Sequence, residues 1–276
     1  MWQLNGRLRK VTVRNLEICF PDMPEEERTQ LARRSLFELN MSILDVGRSW
    51  AWSLERLDRQ VIRTIGMNDL RATIENGNGA IVMAPHLGNW ELANYVLSKH
   101  CDVTTLYREP KTSVFGDIVR QKRQRRGANL VPVGPAGCRA MLKTLRAGNV
   151  VSLLPDQVPP KQFGKFAPFF GEPALTITLV SSLIQRTGAK AMMAYCKRLP
   201  DGKYEMVFRP MDEGVYDPDC LTSLTALNKS IEGCIMDCPE QYQWEYKRFK
   251  YLPNLQKRDY LDKHQPGSDS LSHRQA

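Results

Sequence analysis

From Val61 to Pro155 short apolar runs rich in β-branched residues alternate with amphipathic stretches, and this alternation limits the possible folds more than any other feature of the chain. VIRTIG, Ala80 to Ala84, VTTLYRE (Val103 to Glu109), ANLVPV and VVSLLP read as strands, while MNDLRATIENG, Trp90 to Lys99, Ser113 to Arg126 and Cys138 to Ala147 read as helices. Repeated strand–helix units predict an α/β fold, a mostly parallel sheet flanked by helices. Upstream, Asp22-Met-Pro-Glu25 has the form of a capping box, and helical spacing runs from Glu25 to Trp52 with a bend expected near Gly47. Downstream, Asp156 to Gly164 reads as a loop, followed by the apolar FAPFFG (Phe166 to Gly171). Ala174 to Arg186 reads as a helix, Lys190 to Lys197 and Tyr204 to Arg209 as a hairpin, Cys220 to Met236 as a helix and Glu240 to Lys250 as the start of a short one. The expected organisation is one domain over residues 1–253, with a helical part over 1–55 and an α/β core over 56–253. A disordered tail is expected over 254–276.

The stretch AIVMAPHLGNWELANYVLSK (Ala80 to Lys99) concentrates chemistry at a strand-to-helix turn. Pro85 ends the strand, Gly88 permits a tight turn, and His86 sits between them. Glu91 lies five positions on, roughly 140° round a regular helix from His86, so the two can meet only if His86 stands outside the helix and folds back over its first turn. In that geometry Glu91 accepts from one ring nitrogen, and the other takes a proton from a hydroxyl attacking an ester or thioester. The competing reading is a structural cap pair. The carboxyl ends of strands in open α/β sheets are the usual ligand sites, which supports the chemical reading.

Charge narrows the partners without choosing among them. A formal net charge of +9 favours something anionic: nucleic acid, acidic lipid headgroups, a phosphorylated substrate or an acidic carrier protein. The charge is spread through an α/β pattern with no recognised nucleic-acid signature, so a nucleic-acid partner is not expected. Seven scattered cysteines without a Cys-x-x-Cys pair argue against a disulfide framework or zinc ribbon, and Cys234 and Cys238 read as helix packing residues; neither metal nor cofactor is expected. No apolar run approaches the ~20 residues of a membrane span. Near the N-terminus, Trp2, Leu4, Leu8, Val11 and Val13 alternate with Arg7, Arg9, Lys10 and Arg14. This reads either as an interfacial segment or as a solvated basic start.

HLGNWE at 86–91, LYRE at 106–109, PDQ at 155–157, FAPFFGEPALT at 166–176 and PEQYQWEYKRFK at 239–250, with RNLEICFP at 14–21, together resemble the lipid A late acyltransferases of Gram-negative bacteria. The resemblance covers roughly residues 11 to 253 in the family's order. It implies an α/β acyltransferase on the cytoplasmic face of the inner membrane that takes an acyl chain from acyl carrier protein and places it on a hydroxyl of a lipid A precursor. A different hydroxylated membrane lipid, or non-catalytic lipid binding, is the alternative. Family members usually carry an apolar N-terminal helix ahead of the position matching Arg14, which here lies 13 residues from the start, so the expectation is a truncated start or a peripheral protein. The loop VPPKQFGKFAPFF departs from many members and bears on the acceptor.

Within this frame His86 is the expected general base and Glu91 its orienting partner. Asn89 either orients the acceptor or caps the helix. Arg108 binds phosphate or steadies an oxyanion, or else pairs with Glu109 at the surface. Asp156 holds a basic site residue and Gln157 donates to a sugar or carbonyl oxygen, unless the two merely cap a turn. The run Arg120, Lys122, Arg123, Arg125 and Arg126 either docks acidic partners, with Arg126 in substrate binding, or forms a solvated helix face. Phe166, Phe169 and Phe170 read as core before acyl-pocket lining.

Overall fold

The computed structural model describes residues 6–75, 77–107, 121–122 and 127–260. Two N-terminal helices, α1 (Gly6–Cys19) and α2 (Glu25–Ala51), lead through α3 (Leu54–Asp58) into β1 (Val61–Ile65) and α4 (Met67–Glu75). The central units are β2 (Ala80–Met83), α5 (Trp90–His100), β3 (Val103–Tyr107), β4 (Ala128–Pro132), α6 (Pro135–Arg146) and β5 (Val150–Leu153). A hairpin, β6 (Gly164–Phe169) and β7 (Glu172–Ile177), follows, then α7 (Leu179–Thr187), β8 (Lys190–Arg198), β9 (Tyr204–Pro210) and α8 (Cys220–Ile235). The seven-stranded sheet has the order β1-β9-β8-β2-β5-β3-β4. All its neighbours are parallel except β8 and β9, so the expected mostly parallel α/β fold is the one observed.

Why β2 reads as an unbroken apolar run, and β5 as one interrupted only by Ser152, follows from burial on both faces. Ala80 and Val82 point to the side covered by α4 and α5, among Leu70, Leu92, Val96 and Leu97. Ile81 and Met83 point to the other side, among Met141 and Leu145 of α6, Leu183 of α7 and Leu227 and Ile231 of α8. Each strand thus serves two cores. β2 and β5 are neighbours in equal register, Met83 opposite Leu153.

Several sequence expectations are corrected. Helix α2 starts after Pro24 with no side-chain cap, so Asp22 does not complete a capping box. Ala174 to Ile177 belongs to β7, paired with Gly164 to Phe169 across a tight Phe170-Gly171 turn at positive φ, and the helix begins only at Leu179. Their backbone pairs across the hairpin with β6, Ala174 opposite Ala167 and Thr176 opposite Lys165. The Glu240 to Lys250 stretch forms one 3₁₀ turn, Pro239–Gln241, and then an irregular path whose aromatic side chains fill the core. Phe169 is core, against Tyr242 and Phe249. In α1, Val11, Leu16 and Cys19 are buried against the domain, so Val11 is not free for a lipid face. Beyond residue 253 the chain runs exposed and then returns to the core at Arg258 and Tyr260, whose hydroxyl accepts from the Phe249 amide and donates to Asn15. The expected helix over Ser113 to Arg126, apart from 121–122, and the tail over 261–276 lie outside the described residues.

Candidate active site

Strand register builds the site. Both β2 and β5 run out through one residue and a proline, Met83-Ala84-Pro85-His86 and Leu153-Leu154-Pro155-Asp156. Equal offsets from paired residues on parallel strands about 4.8 Å apart set His86 and Asp156 side by side. The carboxylate grips the histidine twice: Oδ2 accepts from the His86 backbone N–H at 2.9 Å, and Oδ1 lies 2.8 Å from Nδ1. Asp156 is only 2% exposed. Burial pushes its carboxyl up, but the charge of His86 and its two hydrogen bonds outweigh burial and hold it below the ordinary aspartate range. An ionised Asp156 requires a proton on Nδ1, which leaves Nε2 as the basic nitrogen.

Nε2 meets the side-chain amide nitrogen of Gln157 at 3.2 Å, and the same nitrogen donates to Oε1 of Gln243 at 3.0 Å. The Gln157 amide is therefore aimed at the lone pair that a reacting hydroxyl would use. Trp90 covers the ring from one side, with centroids 5.4 Å apart. Behind the pair, Tyr242 is buried, and burial together with the nearby Asp156 charge pushes its hydroxyl well up. Glu245 is a second acid within electrostatic reach of His86, and burial raises its carboxyl.

The turn is held from below. Gly88 has φ +59°, and a Cβ there would lie 2.1 Å from the Cys196 carbonyl oxygen, so glycine is required on both counts. Its N–H donates to the Gln241 carbonyl, and the Asn89 N–H donates to that of Cys196. Gln241 in turn exchanges two hydrogen bonds with the backbone of Arg198 at the end of β8.

This geometry corrects the expected partnership of His86. The carboxylate on its ring is that of Asp156, and Glu91, 3% exposed in the first turn of α5, accepts instead from Trp50 Nε1 of α2 at 3.3 Å. The cause is the angular separation: the turn that lifts His86 over the sheet edge carries Glu91 round to the α2 side. Asn89 caps α5, accepting from the Leu92 N–H, and exchanges hydrogen bonds with Ser49 of α2; it does not line the cavity. Asp156 and Gln157 both reach His86. Arg108 and Arg126 lie outside the described residues. Gln243, Tyr242, Glu245 and Tyr246 were not expected at the site. Their signal was the dense polar and aromatic run QYQWEY, which reads equally as core until the strand order is known.

His86 stands at the lip of an elongated cavity of about 490 Å³ running over the carboxyl ends of β3, β4 and β5. Trp90, Leu106, Val133, Leu153, Pro159, Phe163, Ile177 and Leu179 supply a mainly apolar wall. Such a volume is that of a small-molecule site. Among the described residues no group of His, Cys, Asp and Glu side chains could hold a metal ion, and no helix is long and apolar enough to cross a membrane.

A carboxylate-held imidazole at the mouth of an apolar cavity on an α/β sheet is a layout that can take a proton from a hydroxyl beside an aliphatic group, the class of an α/β transferase or hydrolase. The comparisons narrow this class: the pattern of the bacterial lipid A biosynthesis acyltransferases matches residues 1–251, and the chain belongs to that family. It is 30% identical to the lipid A biosynthesis lauroyltransferase of Escherichia coli (strain K12) over 90% of this chain and 80% of that protein. The palmitoleoyltransferase of the same strain is 28% identical over the same shares. Its myristoyltransferase is 23% identical over 89% of this chain and 77% of that protein.

Proposed function

We propose that this protein transfers a fatty acyl chain from acyl carrier protein to a hydroxyl of a lipid A precursor, at the cytoplasmic face of the inner membrane, with His86 as general base and Asp156 as the carboxylate that holds it. The observation that carries the reading is the double grip of Asp156 on His86, with Nδ1 at 2.8 Å, at the edge of the apolar cavity. The family and the acyl groups in its relatives' names support the reaction class. A net charge of +9 suits an acidic donor protein.

The acceptor hydroxyl displaces the Gln157 amide from Nε2, loses its proton to that nitrogen and attacks the thioester carbonyl carbon. The Gln157 amide then donates to the carbonyl oxygen as it becomes an oxyanion. Collapse of the tetrahedral intermediate breaks the carbon–sulfur bond, and the departing thiolate takes the proton held on Nε2. Asp156 stays ionised throughout and stabilises the imidazolium that forms. The acyl tail lies in the cavity between Leu106, Leu153 and Leu179.

The test is a radiolabelled acyl-transfer assay with acyl carrier protein thioester and a tetra- or pentaacylated lipid A precursor. General-base catalysis typically supplies 10²–10⁴-fold, so His86→Ala, folded by circular dichroism, is expected to lose a factor in that range. Wild-type turnover by a folded His86→Ala protein would remove the mechanism, and absence of transfer to any lipid A precursor by the wild type would remove the acceptor.

A further inference from the structure

Helix α2 buries Leu31, Ala32 and Leu36 in the ordinary way, but from Phe37 onward it is amphipathic the wrong way round. Its inward positions include Ser35, Ser42, Asp45 and Ser49, all buried, while Phe37, Ile43 and Leu44 are 62%, 63% and 53% exposed. The inward polar groups are accounted for: Asp45 and Glu38 pair with Arg198 of β8, and Ser49 meets Asn89. The outward apolar ones have no such account within the described residues. A surface helix ordinarily buries its apolar stripe and turns its polar side to water.

We infer that the outer face of α2 is the surface by which this protein lies on an anionic lipid bilayer. Arg33, Phe37, Leu44 and Arg48 fall within an arc of about 60° and span about 22 Å along the helix, which makes a continuous stripe of apolar and basic groups. Arg34 flanks it, exposed. At its C-terminal end the Trp52 ring lies under the guanidinium groups of Arg48 and Arg56, at 5.7 and 4.0 Å. Apolar groups bordered by arginine, with a tryptophan at one end, match the chemistry of an acidic headgroup layer over acyl chains. Arg48 also pairs with Asp45 at 3.5 Å, and its side chain stays 43% exposed beside the apolar groups. The acidic first turn, Glu25 to Glu27, lies beyond the stripe and confines docking to the C-terminal two-thirds of α2.

The opposite side of the same helix touches the histidine turn, through Ser49 to Asn89 and Trp50 to Glu91. Docking would therefore set the site beside the layer in which lipid substrates reside. The preference for lipid over a protein partner rests on the proposed lipid acceptor, but the test does not use turnover and so can fail independently of it.

The experiment is vesicle co-sedimentation of the full chain, with phosphatidylglycerol/phosphatidylcholine vesicles and with phosphatidylcholine alone, at low and high salt. Sedimentation equilibrium without lipid runs alongside. The wild type is expected to bind the anionic vesicles at low salt and at least tenfold less at high salt. Phe37→Ser/Leu44→Ser is expected to weaken binding at least tenfold with an unchanged melting curve, because both side chains are already exposed. Arg34→Glu/Arg48→Glu provides a second variant and is expected to abolish the preference for anionic vesicles. The inference is overturned if the wild type stays in the supernatant, or if both double variants bind as the wild type does. It is equally overturned if the wild type forms a dimer that Phe37→Ser/Leu44→Ser disrupts while vesicle binding is unchanged, since a second copy would then occupy the face.

Discussion

Asp156 and Glu91 are two buried carboxylates on either side of one turn, and they are used differently. Asp156 is 70 positions from His86 in the chain and holds both its ring and its backbone; Glu91 is five positions away and faces α2, where it accepts from Trp50. Adjacency of strands thus outweighs adjacency in sequence. A helix separates neighbours by about 100° per residue, whereas a parallel ladder brings matched residues together however long the connection between them.

The sharpest way to break this contrast is kinetic. Asp156→Asn keeps the shape of the carboxylate but no longer stabilises the imidazolium, and it is expected to lower turnover by about 10²–10³-fold with KM little changed. Glu91→Gln is expected to cost much less than that. Equal losses in kcat for the two variants would mean that Glu91 acts on the histidine after all. A second difference lies in stability: Glu91→Ala leaves the half-buried indole N–H of Trp50 without this acceptor and is expected to destabilise the fold by about 1 kcal/mol, read as a lower midpoint in urea. Trp50→Phe should then make the Glu91 substitution less costly, and a double-mutant cycle measures that coupling.

Gln157→Ala sharpens the comparison from the other side of the ring. If its amide donates to the oxyanion, kcat falls by about tenfold or more; if it merely occupies Nε2, its removal leaves kcat unchanged or raises it. The smallest expected effect concerns acid stability. The folded-state pKa of Asp156 is depressed, so its contribution is fully present above the ordinary aspartate value of about 3.9 and is lost as pH falls through the folded value. Asp156→Asn should therefore flatten the acid limb of the stability profile below about pH 4.

Much of the architecture was legible because β2, β3 and β5 are short, mainly apolar runs buried on both faces and α5 carries its own stop and start signals. The β6–β7 hairpin was not, since a run such as Ala174 to Ile177 fits either a strand or a helix until its partner is known. At the site, His86 and the turn glycine could be read locally, and Asp156 was visible as a residue that holds something basic. What it holds depends on β2 and β5 being neighbours, a fact of strand order that neither segment carries alone. The matching Ala-Pro-His and Leu-Pro-Asp endings hinted at it. The polar run from Gln241 to Tyr246 was ambiguous for a similar reason: its glutamines are used by a turn some 150 residues upstream.

The equal offsets of His86 and Asp156 from their paired strand residues make the two turns a matched set of lengths. Inserting one residue between Met83 and His86 would carry the imidazole about 3.3 Å beyond the carboxylate, and the same insertion between Leu153 and Asp156 would carry the carboxylate past the imidazole. Either alone breaks the pair, whereas both together bring the two groups level again. Among descendants of this chain, length changes in these two turns can persist only as correlated events, although nearly 70 residues separate them.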